Sequence, residues 1–252
     1  MLNFSDSHLE YPCYTGDTKS EKKQFEVVLI DADDTLWENY FYFEKARETF
    51  LNFMEKQGFD REEVNYYLNH FDTKRLEDIG FGSNGFKKAM EFTLNHFYKE
   101  KNIDVSDKEK ALLENIKTFI YNQPSIPYPG VKETLEYLKR RYKLILLTKG
   151  EEEEQLKKVN RSGLSQFFNA SIVLNDKKEE HYRKLIVSLK LNPEKTVMVG
   201  NSPKSDINPA VKAGMYGILI KREKQWAYEE EELIKSDKII VIHSFKELTR
   251  IL

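Results

Sequence analysis

Three aspartates near the start of the chain follow a short apolar run and are the first residues with evident chemistry. The run Phe25–Asp31 reads FEVVLID, and Asp33 and Asp34 follow it directly. Side chains two positions apart on an extended chain point the same way, so Asp31 and Asp33 are predicted to share one site. Two carboxylates this close repel each other unless a proton or a cation such as Mg2+ offsets their charge. The alternative is an Asp-rich turn that caps the following helix.

Three more polar elements come at the ends of other apolar runs. Thr148 ends the run YKLILLT, and Lys177 and Lys178 come just after the run SIVLN. Asn201 and Asp206 lie in the segment GNSPKSD, at the end of the run TVMVGN. Hydroxyl and ammonium groups donate to phosphoryl oxygens, and amide and carboxylate oxygens bind hard cations. Taken alone, Thr148 also fits a cap, the lysines fit solvated residues and Asp206 fits a helix start. Because all of them are predicted to lie at one sheet edge, they indicate a site for phosphate and a metal ion.

The elements that position these residues are short apolar strands that alternate with helices. Continuous apolar runs of this length are typical of strands buried on both faces. Segments of helical period, such as Val131–Arg141 and His181–Leu191, lie between most of them. The alternation predicts an α/β fold with a doubly wound parallel sheet, in which ligands bind at the carboxyl ends of the strands. The predicted strands are Phe25–Asp31, Tyr142–Thr148, Ala170–Asn175, Thr196–Asn201, Tyr216–Ile220 and Lys238–His243.

Residues 37–125 interrupt this alternation. Apolar and aromatic residues recur there at steps of three and four, which predicts roughly four packed helices and no strand. Two acidic runs, Glu151–Glu154 and Glu229–Glu232, are interpreted as a helix start and a solvated helical face, neither with a function. The predicted division is a polar extension over 1–24, a sheet domain over 25–36 and 126–252, and a smaller all-helical domain over 37–125.

The composition limits the classes of partner. The 252 residues include 40 Lys and Arg and 42 Asp and Glu, for a net charge of -2. This balance gives no electrostatic footprint for nucleic acid or an anionic membrane, and the apolar runs are too short to span a bilayer. The single cysteine, Cys13, excludes an intrachain disulfide, and the polar first 24 residues lack a secretory signal. We therefore predict a cytoplasmic protein whose partner is a small phosphorylated molecule; the sequence does not indicate its oligomeric state.

In this order the motifs resemble those of the haloacid dehalogenase superfamily of aspartate-nucleophile phosphatases. The resemblance extends from about Phe25 to the C-terminus. It implies a Rossmann-like core and a mobile helical cap inserted after the first motif, where residues 37–125 lie. The fourth motif begins Gly-Asn here, whereas the family more often has Gly-Asp. The matching segments are Asp31-Ala32-Asp33-Asp34-Thr35-Leu36, Thr148, Lys177 or Lys178, and Gly200-Asn201-Ser202-Pro203-Lys204-Ser205-Asp206.

The resemblance implies a chemical role for each acidic motif. Asp31 attacks phosphorus and becomes an aspartyl-phosphate, while Asp33 protonates the leaving oxygen and then activates water. Mg2+ is held by the Asp31 carboxylate, the Asp33 main-chain carbonyl and the fourth motif, through Asn201 and Asp206. Phosphoryl transfer itself depends mainly on positioning and on electrostatic stabilisation, so a metal ion, a lysine and donor groups are the expected equipment.

The remaining matching residues are expected to contact the substrate. Thr148 and one lysine orient the phosphoryl group in the family. Lys177 is preferred over Lys178 because it lies five residues before an aromatic residue, Tyr182, as in similar family members. The predicted substrate contacts are Thr148, Lys149, Lys177, Lys178 and Trp37.

Three functions fit these residues. The first is a phosphatase, and the second is a phosphomutase or other phosphotransferase, in which an alcohol replaces water as the acceptor. The third is a catalytically degenerate binding module, which Asn201 favours and the intact Asp31, Asp33 and Asp206 oppose. A dehalogenase is disfavoured because it needs no leaving-group acid at Asp33.

Overall fold

The sheet has six parallel strands in the order β3-β2-β1-β4-β5-β6. The computed structural model describes residues 25–74, 76 and 80–252, so the predicted extension over 1–24 lies outside the described residues. The predicted α/β class and doubly wound parallel sheet are confirmed. The strands are β1 (Val27–Ile30), β2 (Lys143–Lys149), β3 (Ala170–Leu174), β4 (Thr196–Gly200), β5 (Tyr216–Ile220) and β6 (Ile239–Ile242).

Strand β1 lies in the middle of the sheet because its sequence, VVLI, is apolar on both faces. Val28 and Ile30 pack into the core on one side of the sheet, and Val27 and Leu29 pack into the core on the other. Ile30 is in register with Leu146 of β2 and with Val199 of β4. The residues that follow these three strands therefore meet at one edge of the sheet.

Helices cover both faces of the sheet. On one face, Leu135, Val159 and Leu248 belong to the core that contains Val28. On the other face, Leu185 and Ala210 belong to the core that contains Val27. The sheet-flanking helices are α5 (Val131–Lys139), α6 (Glu152–Ser162), α7 (Glu179–Leu189), α8 (Asn208–Lys212) and α9 (Leu248–Ile251).

Between β1 and α5 the structure describes four helices, which we call the helical insertion. They pack around their own apolar core, with Phe50, Met54 and Met90 fully buried. Phe43 and Tyr67 also pack against that core, as the spacing predicted, whereas Phe41 and Tyr66 are exposed. In the described ranges no helix is both long enough and apolar enough to cross a membrane. The helices are α1 (Tyr40–Lys56), α2 (Arg61–Lys74), α3 (Gly82–Glu100) and α4 (Asp107–Tyr121).

Candidate active site

The carboxyl ends of β1, β2 and β4 face the helical insertion across a cavity of ≈ 130 Å³. The insertion contributes the first half of α1, Asp72 near the end of α2, the start of α3 and the segment that precedes α3. Most of the predicted site residues line this cavity, so the structure brings together groups that are distant in sequence. These lining residues are Asp31, Asp33, Thr148, Lys149, Lys177, Asn201 and Asp206.

At the centre, Lys177 bridges two buried carboxylates. Its Nζ lies 2.5 Å from Asp31 Oδ1 and 2.8 Å from Asp206 Oδ1. Thr35 donates to the other oxygen of Asp31, Oδ2, over 2.8 Å. Burial, and then the nearby Asp206 carboxylate, raise the pKa of Asp31 to about 7. Burial alone lowers the pKa of Lys177, but the Asp206 and Asp31 carboxylates raise it well above its usual value.

The neighbouring lysine lies elsewhere. The Lys178 side chain is 57% exposed and pairs with Asp176 over 3.2 Å, outside this cavity. Lys178 begins helix α7, which directs its side chain towards solvent, whereas the preceding residue points inward. The expectation that Lys178 contacts the substrate is therefore corrected, and Lys177 is the lysine in the site.

The fourth motif forms a single π-helical turn, Pro203–Ile207, directly after β4. A Cβ atom on Gly200 would lie 2.2 Å from Asp206 Oδ2, so this position accepts only glycine. The amide of Ser202 donates to Asp206 Oδ2 over 3.0 Å and fixes the carboxylate against the strand end. Thr35 Oγ1 lies 3.0 Å from Asn201 Oδ1. The turn thus presents two oxygen-bearing side chains beside Asp31.

These residues fit a hard cation such as Mg2+. Asp31, Asn201 and Asp206 offer oxygen atoms only, and Mg2+ commonly uses one or two carboxylates together with waters and phosphate oxygens. Burial, and then the Asp206 carboxylate, raise the pKa of Asp31, and a cation bound beside the two carboxylates would favour their charged forms. Within the described ranges no group of three or more histidine, cysteine, aspartate or glutamate side chains forms a metal site, so ligands beyond two carboxylates would be neutral oxygens.

Asp33 is held by three donors. Lys158 Nζ lies 2.8 Å and Gln155 Nε2 3.0 Å from Oδ2, while Trp37 Nε1 donates to Oδ1 over 2.8 Å. Burial alone raises the pKa of Asp33, but Lys158 and these hydrogen bonds hold it below its usual value. Trp37 is fully buried and does not line the cavity. The expected contact between Trp37 and the substrate is therefore corrected: Trp37 orients Asp33 instead.

Asp34 has hydrogen-bond partners that differ in kind from those of Asp31 and Asp33. Its backbone is in the left-handed region, with φ 59°. Its Oδ1 accepts from the amides of Asn39 and Tyr40, at the start of α1. Burial raises the pKa of Asp34 to about 7. Asp34 thus caps α1, as in the alternative of an Asp-rich turn, although it also lines the cavity with Asp31 and Asp33.

Two predicted substrate contacts, Thr148 and Lys149, lie at the end of β2. Thr148 is buried, and its hydroxyl donates to Gln155 Oε1 over 3.2 Å. Lys149 donates to Ser205 Oγ over 2.7 Å and forms an ion pair with Glu229. Glu229 is buried, ends a short 3-10 turn and also accepts from Ser202. The interpretation of Glu229 as part of a solvated helical face is therefore wrong.

The sequence reading also missed the inward face of α6. This helix starts at Glu152, within the predicted acidic helix start, yet Glu154 and Lys158 are buried. Glu154 Oε2 accepts from the Ser83 hydroxyl over 2.6 Å and from the Ser83 amide over 3.0 Å, which ties α6 to α3. The four-residue spacing of Glu154 and Lys158 places them on one face of the helix, the only signal available in so polar a segment.

Comparison with known proteins agrees with this geometry. A glyceraldehyde 3-phosphate phosphatase of Methanothermobacter thermautotrophicus is 26% identical over 234 residues, covering 90% of this chain and 99% of the relative. A protein of the same name from Methanocaldococcus jannaschii is 28% identical, covering 89% of this chain and 95% of the relative. A haloacid dehalogenase-like family hydrolase from Xanthomonas campestris superposes with a TM-score of 0.75 at 21% identity, covering 91% of this chain and 96% of that structure. The family profile of the haloacid dehalogenase-like hydrolases matches residues 25–214, and the chain belongs to this family.

Proposed function

We propose that this hydrolase is a magnesium-dependent phosphatase that cleaves a small phosphorylated metabolite through an aspartyl-phosphate on Asp31. The observation that carries the proposal is the buried Lys177 ammonium between Asp31 and Asp206, at the carboxyl end of the central strand. Such a cation neutralises both an attacking carboxylate and a phosphoryl group. Two relatives over most of the chain are glyceraldehyde 3-phosphate phosphatases, which supports the enzyme class.

In the first step an oxygen of Asp31 forms a bond to phosphorus while the bond from phosphorus to the ester oxygen breaks. Asp33 gives its proton to that ester oxygen, which leaves as an alcohol. At rest the pKa of Asp33 is low, but the negative charge of a bound phosphate raises it and favours the protonated form. Lys177 and Thr148 neutralise and orient the phosphoryl oxygens.

In the second step Asp33 takes a proton from water, and the resulting hydroxide oxygen attacks phosphorus. The bond between phosphorus and Asp31 breaks, so the carboxylate returns and inorganic phosphate leaves. Asp31, Asn201, Asp206 and the Asp33 carbonyl would hold Mg2+, which would supply positive charge that offsets the phosphate and the carboxylates. Because Asn201 stands where the family more often has aspartate, the fourth motif would offer the cation one negative charge fewer. Asp206 is the acidic residue of this motif.

The division into a sheet domain and a helical cap, with the cap closing over the substrate, is part of this proposal. Residues of α1 and α3 line the cavity opposite the sheet edge, which supports it. Closure of that kind excludes water and positions the leaving group. A cytoplasmic location stays a prediction from the sequence.

The test is phosphate release from an aryl phosphate and a panel of phosphorylated metabolites with Mg2+. We expect steady hydrolysis of at least one compound and its loss in Asp31→Asn. Asp60→Asn is the matched control, because Asp60 lies at the start of α2 and its Oδ1 accepts from the Glu63 amide, a role that asparagine also fills. Transfer of phosphate to an added alcohol alone would indicate a phosphotransferase, and activity that survives in Asp31→Asn would refute the nucleophile.

A further inference from the structure

The wall of the cavity that faces the sheet edge carries two carboxylates. Glu44 lies on α1 and Asp72 on α2, and both line the cavity together with Arg47. Arg47 Nε donates to Glu44 over 3.2 Å, and its NH2 group lies 3.6 Å from Asp72 Oδ2. The NH1 group of Arg47 donates to Asn65 and Asn69. The guanidinium group is therefore held within the insertion, and this wall has a net negative charge among the described residues.

Every cation that lines the cavity in the described part of the chain already faces a carboxylate. Those on the sheet side are held in buried or nearly buried pairs, and Arg47 is held by Glu44. Lys177 is expected to serve the transferred phosphoryl group. Among the residues that the structure describes, a second anionic group on the substrate would thus meet carboxylates without a free cation. The sheet-side pairs are Lys149–Glu229, Lys158–Asp33 and Lys177–Asp31.

Asp72 and Trp226 together offer an acceptor and a donor to the cavity. Burial raises the pKa of Asp72 to about 6, so the group is ionised at neutral pH. The Trp226 indole N–H is buried and makes no hydrogen bond of ordinary length to the described residues. It lies close enough to Asp72 to lower the pKa of that carboxyl, so donor and acceptor are neighbours. A hydroxyl group satisfies both, because it accepts from the indole and donates to the carboxylate.

We propose that the leaving group of the substrate is a small, neutral, hydroxylated group, and that Glu44 and Asp72 are specificity-determining residues that select against a second anion. The inference rests on the proposed phosphatase function and names its substrate class. At ≈ 130 Å³ the cavity is small for a ligand site, which favours a phosphate ester with only a few carbons.

The experiment compares two three-carbon esters, glycerol 1-phosphate and 3-phosphoglycerate, which differ in a carboxylate at the far end. With Mg2+ we expect kcat/KM to favour glycerol 1-phosphate by about tenfold or more, because like charges in a buried site repel strongly. Asp72→Asn should reduce this preference several-fold by raising kcat/KM for 3-phosphoglycerate. Glu62→Gln is the matched control, since Glu62 is an exposed acid on the same helix and its loss should leave the preference unchanged.

Binding of both esters to Asp31→Asn, measured by calorimetry with Mg2+, gives a second readout that does not need turnover. Weaker binding of 3-phosphoglycerate, relieved by adding Asp72→Asn, is expected. Equal use of the two esters while an aryl phosphate is hydrolysed would overturn the specificity and leave the phosphatase intact. A preference for phosphoethanolamine over glycerol 1-phosphate would also overturn it, because the wall would then recognise a cation. Failure with every ester, the aryl phosphate included, would refute the phosphatase itself.

Discussion

At the scale of single residues, the site depends on a lysine that the motifs did not indicate. The Lys158 side chain is 1% exposed, and its Nζ lies 2.8 Å from Asp33 and 3.6 Å from Glu154. Burial alone lowers the pKa of Lys158, but the Asp33 and Glu154 carboxylates raise it above its usual value. Lys158 therefore neutralises two buried carboxylates, Asp33 after β1 and Glu154 on α6.

Replacing this lysine should destabilise the protein. Lys158→Met leaves both carboxylates without their cation, and breaking a buried ion pair costs about 3–5 kcal/mol of unfolding free energy. Denaturant unfolding measures the loss. The double variant Lys158→Met with Asp33→Asn should lose less than the sum of the two single changes, because the pair acts as a unit.

The neighbouring lysine provides the matched control. Lys157 lies over the Tyr121 ring, 3.8 Å from its centroid, on the outer side of the helix. Lys157→Met should cost about 1 kcal/mol or less, as partly exposed interactions do. Similar losses of unfolding free energy in the two variants would show that Lys158 contributes no more to stability than a partly exposed lysine does.

The buried Asp72 predicts a pH dependence of stability. Its pKa rises from 3.8 unfolded to about 6 folded, chiefly through burial. The folded state therefore binds the proton more tightly, and the stability this gives is fully present below pH 3.8 and is lost as the pH rises through about 6. By pH 7 the loss amounts to about 3 kcal/mol.

Asp72→Asn, which does not titrate, isolates this contribution. The difference in unfolding free energy between Asp72→Asn and wild type should change in favour of the variant as the pH rises from 4 to about 7. Chemical denaturation at several pH values measures it. A constant difference across this range would mean that the folded Asp72 titrates as it does in the unfolded chain.

At the scale of elements, a buried contact between Ser83 and Glu154 joins the helical insertion to the sheet-flanking helices. Ser83 lies in the first turn of α3, where amides have no partner within the helix, and Glu154 of α6 accepts from both its amide and its hydroxyl. Gly82 approaches the same carboxylate, since a Cβ there would lie 3.1 Å from Glu154 Oε2. Its φ of +82° also favours glycine.

Ser83→Ala should loosen this contact without unfolding α3. It removes one hydrogen bond to a charged acceptor, of about 1.5 kcal/mol or more, so the amides at the start of α3 should exchange hydrogen roughly tenfold faster. Ser106→Ala is the control: Ser106 caps α4, is exposed and makes its bonds within its own helix. Unchanged exchange in Ser83→Ala would show that the contact does not hold the insertion.

The sequence predicted the elements whose apolar residues form a clear pattern, and it did not predict which polar residues of a helix face inward. The strand VVLI, buried on both faces, carries its own signal, and so does the aspartate cluster that follows it. Helix α6 is almost wholly polar, so little besides their four-residue spacing distinguishes Glu154 and Lys158 from solvated residues. Glu229 likewise acquires its burial from Lys149, which is 80 residues away in the chain. These partners exist only after the chain has folded.

At the scale of the whole molecule, two sets of charged side chains face each other across one cavity. The sheet edge supplies Asp31 and Asp206 around Lys177, and the insertion supplies the acidic wall at Asp72. Phosphate and a cation are expected to bind at the first set, and the leaving group at the second. Because both sets line the same cavity, a ligand that fills the first should stabilise the fold as a whole.

Mg2+ together with beryllium fluoride, a mimic of the phosphoryl group on Asp31, tests this expectation. At a hundredfold excess over its dissociation constant such a ligand adds about 2.7 kcal/mol to the unfolding free energy, which raises Tm by roughly 5–10 °C in a chain of this length. The rise in Tm should be smaller when EDTA is added to remove Mg2+, and smaller in the variants Asp31→Asn and Asp206→Asn. Asp60→Asn should show the same rise as wild type. A rise that persists in Asp31→Asn would mean that fluoride and metal bind elsewhere, and no rise in wild type would contradict a metal and phosphoryl site formed by these carboxylates.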